Sequence, residues 1–292
     1  MNDILALLDS LGSKSQSPNG KTPIAGFGFI SCASRVHIRH VPFYTPCIIL
    51  VLSGRKLIGK MACEAGDVLT VPAPASYDLR NEPEARNGRY RALIIPFEHH
   101  DLERLRAAHA IESIRQPTPI GPLRYDGDAV LIDAVKHYLS SHDNARLLKH
   151  RLLENLLILA TKDRRLLAYP LAQENWAQRV RACLATDLAY AWSIGEVCKR
   201  LATSESALRR NLQRETTGFR ELLQDLRLST ALTQLLQTSL PVYQIAYDCG
   251  YQSVSRFTSN FHKRFGLPPS ALRLGVDESE QNLAVRAHSS VA

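Results

Sequence analysis

Between Ile194 and Phe265 the same helical punctuation occurs twice: Ile194-x-x-Val197-Cys198 followed by Ala202 and Leu208, then Val242-x-x-Ile245-Ala246 followed by Gly250 and Phe257. A short helix pair with a small residue in its turn is common in all-α folds, so one copy says little. Two copies joined by an unbroken helical stretch predict a pair of helix-turn-helix units that read two successive major-groove faces of duplex DNA.

In the first unit Ile194, Val197, Cys198, Leu201 and Leu208 form the apolar seam. Ser193 suits the N-cap of the positioning helix, and Thr203 or Ser204 that of the recognition helix. With Leu208 and Leu212 turned inward, Ser206, Arg209, Arg210 and Gln213 occupy the other faces. These residue types suit groove reading, because arginine forks O6 and N7 of guanine and glutamine pairs with the N6/N7 edge of adenine. In the second unit Val242, Ile245 and Ala246 are inside, Gly250 supplies the turn and Ser253 caps the next helix. Phe257, Phe261 and Phe265 recur at helical spacing as core, leaving Val254, Ser255, Arg256, Ser259 and Asn260 for DNA, with His262, Lys263 and Arg264 nearer the phosphates. The first unit is expected to carry more base readout and the second more positioning. Between them Phe219–Gln237 has no proline or glycine. A helix of that length spans roughly 28 Å, close to the ~34 Å between adjacent major-groove faces.

The remainder of the chain bounds the partners. At 292 residues and 45% hydrophobic, the sequence accommodates two globular domains. A net charge of +8 favours a polyanionic partner. The charge does not locate the DNA-binding half: residues 174–274 hold 13 Lys+Arg against 8 Asp+Glu, and residues 1–173 carry the same excess, 22 against 17. No run reaches about 18 apolar residues and no secretory leader is recognisable, so a cytoplasmic protein without membrane attachment is expected. The six cysteines are scattered without a C-x-x-C pair and read as reduced, small hydrophobes.

Residues 1–21 open with an amphipathic stretch (Ile4, Leu7, Leu8, Leu11) and run into a Ser/Gly/Pro-rich connector, expected to be mobile. Residues 22–170 form a second domain. Its first part is β-like: Val36 and Ile38 alternate with polar neighbours, Cys47–Leu52 is an apolar run, Val68–Val71 follows a Gly-Asp turn, and Tyr90–Phe97 is a further strand. Short strands of this kind predict a small sandwich or barrel. Helices follow over 129–139 and 145–167, the second ended by Tyr169-Pro170. Its stripe Leu148, Leu152, Leu156 and Leu159 either packs on its own barrel or pairs with a second copy. The domain boundary falls at Pro170–Glu174, the helical domain covers 171–274, and 275–292 is expected to be disordered.

The run Leu201-Ala202-Thr203-Ser204-Glu205-Ser206-Ala207-Leu208-Arg209-Arg210, with Gly218-Phe219, Leu226-Arg227-Leu228, Ala231, Leu235-Leu236, Ile245-Ala246-x-x-x-Gly250-Tyr251-x-Ser253-x-Ser255-x-Phe257-x-x-x-Phe261-x-x-x-Phe265-Gly266-x-Pro268-Pro269-x-x-x-Arg273, resembles the AraC/XylS transcriptional regulators. The resemblance covers about 100 residues. It implies a monomer on two adjacent major grooves of promoter DNA, contact with RNA polymerase, and control by a signal through the other domain. Three positions depart from the family pattern: Arg256 where an aromatic is usual, Ser259 for a frequent arginine, and Cys198 for alanine. Thr45–Lys56 and Ala65–Pro72 look like the cupin-like N-terminal domain of one subgroup. That implies a β-barrel followed by dimerisation helices.

The expected fold is thus α+β with two domains, a cupin-like barrel with helices and an all-α double helix-turn-helix. Inward residues Val36, Ile38, Ile49, Val51, Leu69, Val71, Leu93 and Ile95 are either ordinary barrel core or the walls of an effector pocket. A metal-dependent cupin enzyme would need clustered histidines. His37 and His40 are expected on opposite strand faces, His99-His100 lies past the last strand, and no catalytic motif is present. Neither an enzyme nor a cofactor is expected. The expected function is a DNA-binding regulator, more specifically an activator, working as a homodimer under a small-molecule or protein signal. The alternative is a sensor for which DNA binding is secondary.

Overall fold

The computed structural model describes residues 3, 4, 6, 27–84, 88–109, 120–169, 175–238 and 240–273. Most of the opening segment, the Pro170–Glu174 boundary and the tail after Arg273 lie outside the described residues. The chain divides into two compact units, the second of which covers Ala172–Arg273.

The first unit is built on two antiparallel sheets. Strands β1 (Gly28–Cys32), β8 (Tyr90–Pro96), β3 (Cys47–Ser53), β6 (Asp67–Val71) and β9 (Leu123–Asp126) form one, in the order β1-β8-β3-β6-β9. Strands β2 (Val36–Phe43), β7 (Ala75–Glu82), β4 (Arg55–Ile58) and β5 (Met61–Cys63) form the other, in the order β2-β7-β4-β5. The strands make two antiparallel sheets that are not closed into the cupin-like barrel, so of the small sandwich or barrel expected the structure has the two-sheet form.

Helices α1 (His99–Ala108), α2 (Ala129–Ser140) and α3 (Ala145–Lys162) cover the larger sheet. Asp128 caps α2 by accepting from Leu131 N at 3.0 Å, and Asn144 caps α3 through Leu147 N at 3.1 Å. The α3 helix ends at Lys162, earlier than the proline suggested. Asp163 is extended there and accepts from Arg165 N at 2.9 Å, starting a 3-10 turn over Arg164–Ala168.

Ile48, Leu50, Leu52, Val68, Leu93 and Ile95 on the sheet pack with Leu131, Val135, Leu148, Leu152, Leu156 and Leu159 on the helices. Of the two alternatives for the leucine stripe of α3, Leu148, Leu152, Leu156 and Leu159 follow the first and pack on their own sheet. One expectation is corrected here. Leu93 and Ile95 pair with Leu50 and Ile48, so they share the helix-side face and do not line the inter-sheet space. Ile4 is fully buried in the same core and Asp3 pairs with Lys136 at 3.4 Å, so these two residues are anchored.

Ile49, Val51, Leu69 and Val71 lie on the opposite face, with Cys47. Val36 and Ile38 pair with Asn81 and Leu79 on the inner face of the smaller sheet. The two inner faces meet around Lys56, which is 1% exposed, donates to Asn81 Oδ1 at 3.0 Å and lies 5.6 Å from the centre of the Tyr90 ring. A β-bulge between Ile38 and Val41 leaves both His37 and His40 exposed, where strict alternation had put them on opposite faces.

In the second unit α4 (Trp176–Ala185), α5 (Ile194–Arg200), α6 (Glu205–Arg214), α7 (Phe219–Gln237), α8 (Val242–Asp248), α9 (Val254–Phe265) and α10 (Pro269–Arg273) make an all-helical domain. Among the described residues no helix is long and apolar enough to cross a membrane.

Candidate nucleic-acid interface

The two helix pairs repeat each other down to their turns. In the first, Leu201 N, Ala202 N and Thr203 N donate to Val197 O, Lys199 O and Cys198 O; in the second, Cys249 N, Gly250 N and Tyr251 N donate to Ile245 O, Tyr247 O and Ala246 O. Both turns need one left-handed residue, Ala202 at φ +49° and Gly250 at φ +79°. Size alone had suggested small residues at these positions. The sign of φ is the stronger requirement, and alanine meets it at a cost.

Each recognition helix begins on a serine cap. Ser204 Oγ accepts from Ala207 N at 3.2 Å and Ser253 Oγ from Arg256 N at 3.4 Å. Ser193 caps α5 through Glu196 N at 3.1 Å. These local contacts fix where each helix starts, and so which side chains point outward.

On α6, Leu208 and Leu212 are buried against Val197, Cys198, Val180, Leu184, Trp192 and Leu222. That orientation leaves Ser206, Arg209, Arg210 and Gln213 exposed on the remaining surface. Arg209 reaches back to Glu205 at 3.3 Å, and Ser206 Oγ lies 3.2 Å from the capping Ser204 Oγ. Among the described residues no partner holds the side chains of Arg210 and Gln213, which are therefore the readiest donors for base edges.

On α9 the buried rings form a ladder: Tyr251 to Phe257 at 5.2 Å, Phe257 to Phe261 at 5.5 Å, and Phe261 to Phe265 at 4.7 Å between centroids. Ser255, Arg256, Ser259, His262 and Lys263 are exposed, whereas Val254 and Asn260 are half-buried. Asn260 lies beside the Tyr251 hydroxyl. Arg264 departs from its expected place near phosphate, because its Nε donates to Asp225 Oδ1 on α7 at 3.0 Å. Gly266, left-handed at φ +80°, ends the helix by donating to His262 O at 2.8 Å. The basic last turn faces the negative end of the helix dipole.

Two supporting residues escaped sequence reasoning. Glu215, just past α6, accepts from Trp176 N at 2.9 Å and Ala177 N at 2.8 Å, capping the first turn of α4. Arg227 on α7 donates to Leu188 O and Tyr190 O, each at 3.0 Å. Neither contact has a local signature, since each partner is distant in sequence.

A family model described as a helix-turn-helix domain matches residues 197–275. The urease operon transcriptional activator of Escherichia coli is 36% identical over 102 residues, covering 33% of this chain and 34% of that protein. The DNA-binding dual transcriptional regulator Rns of Escherichia coli is 29% identical over 144 residues, 48% of this chain and 52% of Rns. The chain thus spans about a third to a half of these curated relatives. Among solved structures, an apo ToxT variant from Vibrio cholerae superposes with a TM-score of 0.59 at 16% identity, covering 86% of this chain and 97% of that one. Unsaturated fatty acid-bound wild-type ToxT gives 0.57 at 14% identity, with 86% and 96% covered. At such identities the likeness concerns the fold, a sheet domain followed by a helical one. By sequence, residues 197–275 are thus similar to the helix-turn-helix domain of AraC-type transcriptional regulators, and by fold the chain is similar to two-domain ToxT.

Proposed function

We propose that the protein is a sequence-specific DNA-binding transcriptional activator whose second unit places α6 and α9 in successive major grooves of promoter DNA. The observation that carries this reading is the exposure of Ser206, Arg209, Arg210 and Gln213 on one recognition helix and Ser255, Arg256, Ser259 and Lys263 on the other. Val254 and Asn260 sit at the margin of that second surface. The rise of α7, about 28 Å, suits the separation of two groove faces.

The first unit receives the signal. Its candidate effector site is the inter-sheet space lined by Val36, Ile38, Ile49, Val51, Leu69 and Val71. The full protein works in the cytoplasm as a homodimer and contacts RNA polymerase. A gel shift of the full chain over a range of salt tests the reading: a preference for selected duplex over competitor supports it, and equal affinity for both refutes it. The salt slope counts the phosphates engaged.

A further inference from the structure

We infer that Arg227 is a positioning residue that locks the second helix-turn-helix against the first and so sets the spacing between the two half-sites. The inference rests on the DNA-binding reading above.

Three segments meet at its guanidinium. From the middle of α7 the half-buried side chain reaches the loop that joins α4 to α5. There Nε donates to Leu188 O and Nη2 to Tyr190 O, both at 3.0 Å. The loop is itself firmly held. Asp187 Oδ1 accepts from Ala189 N and Tyr190 N at 3.0 and 3.1 Å, and Asp187 O accepts from Trp192 Nε1 at 2.7 Å. Trp192 belongs to the core of the first helix-turn-helix. The fork of Arg227 therefore grips a rigid loop packed against the first helix-turn-helix, within the helical domain.

Against this fork sits the turn of the second unit. A Cβ built on Gly250 would lie 2.6 Å from both Cζ and Nη2 of Arg227 and 2.3 Å from Leu188 O. The bare backbone of Gly250 thus rests directly on the guanidinium and the carbonyl it holds. The matching turn of the first unit carries Ala202, whose residue is exposed. The contact is consequently not a generic demand of the turn but belongs to the junction between the units.

The same helix holds the second unit at its far end, where Asp225 Oδ1 accepts from Arg264 Nε at 3.0 Å. Gripped at its turn and at the end of its recognition helix, the second unit has no free rotation about α7. Lysine cannot reproduce the Arg227 contact, because a point ammonium lacks the planar fork that serves two carbonyls while presenting a flat face.

The test uses the full chain and an operator selected by it from random duplex, then the same operator with one base pair added or removed between its half-sites. Wild type is expected to prefer the native spacing by about tenfold or more. Arg227→Lys keeps the charge and the aliphatic stem, and Arg227→Gln keeps one donor. In both, the preference falls to about twofold or less, through weaker binding at the native spacing alone, while circular dichroism shows a folded domain. An equal loss at every spacing, or an unchanged preference, overturns the inference, as does a wild type indifferent to spacing. A wild type that selects no sequence at all instead refutes the DNA-binding reading itself.

Discussion

Lys56 Nζ donates to Asn81 Oδ1 at 3.0 Å between the two sheets of the first unit, and among the described residues no carboxylate balances its charge. Burial disfavours the ammonium and lowers its pKa from 10.5 to about 8, opposed by the neighbouring thiols of Cys47, Cys32 and Cys63.

A pH dependence follows from this burial. Below about pH 8 the folded and unfolded states both hold the proton, and the native state bears the full cost of the buried charge. Between pH 8 and 10.5 the unfolded chain binds more protons, so the Lys56 contribution to stability rises with pH, by up to about 3 kcal/mol. The buried thiols act oppositely: Cys32 and Cys63 are raised to about 11 and Cys47 to about 12, so their contribution falls as the unfolded thiols ionise. The Lys56 effect is therefore read as a difference. The stability of wild type minus that of Lys56→Met, measured by urea unfolding, should climb from pH 8 to 10.5; a flat difference would show that the native lysine titrates normally.

The two turn residues respond in opposite directions. Ala202→Gly removes the left-handed strain on an exposed residue, and after the entropy gained by the unfolded chain it should stabilise the protein by about 0.5 kcal/mol. Gly250→Ala introduces both left-handed strain and a collision with Leu188 O, and should destabilise it by about 2–4 kcal/mol. Denaturant midpoints at constant m-value decide both.

Loss of the Glu215 carboxylate exposes the first turn of α4. Glu215→Ala leaves the N–H groups of Trp176 and Ala177 unpaired and should cost about 1–2 kcal/mol, while Glu215→Gln retains an acceptor and should cost less. Thermal unfolding of the pair checks the order; equal effects would mean that the charge, and not the hydrogen bonds, is what matters.

On DNA, Arg210 and Lys263 should behave differently. Arg210→Ala is expected to relax discrimination at one base pair, by roughly 1–3 kcal/mol. Lys263→Ala should weaken all sequences alike and reduce the salt slope by about 1. Arg209→Ala should cost less than Arg210→Ala, because Arg209 must give up Glu205 to reach a base. Titration against single-base operator variants distinguishes base reading from uniform phosphate contact.

Local chemistry was legible along the chain. A serine before an apolar run marks a helix start because a cap bonds two or three residues ahead, as Ser193, Ser204 and Ser253 do. Phenylalanines at four-residue spacing share one helix face in any context, so the core of α9 followed from its spacing alone. Strands were also visible, but not their faces. Ile48 to Leu52 are buried on both sides, and a run without alternation does not say which side meets helices and which meets the other sheet. The assignment of Leu93 and Ile95 failed for that reason, and that of His37 and His40 because a bulge breaks the period of two.

The sequence by itself determined the duplicated helix-turn-helix, its caps, its small-residue turns and its exposed polar faces, because these depend on hydrogen bonds and periodicity within a few residues. Only the tertiary structure decided that the sheets stay open, that the α3 leucines are used within their own unit, that Lys56 is buried, and that Arg264, Glu215 and Arg227 serve as internal ties. Each of these depends on groups far apart along the chain meeting at hydrogen-bond or van der Waals distance. No local pattern encodes such meetings, because chain closure and packing choose among many partners that have the same residue type.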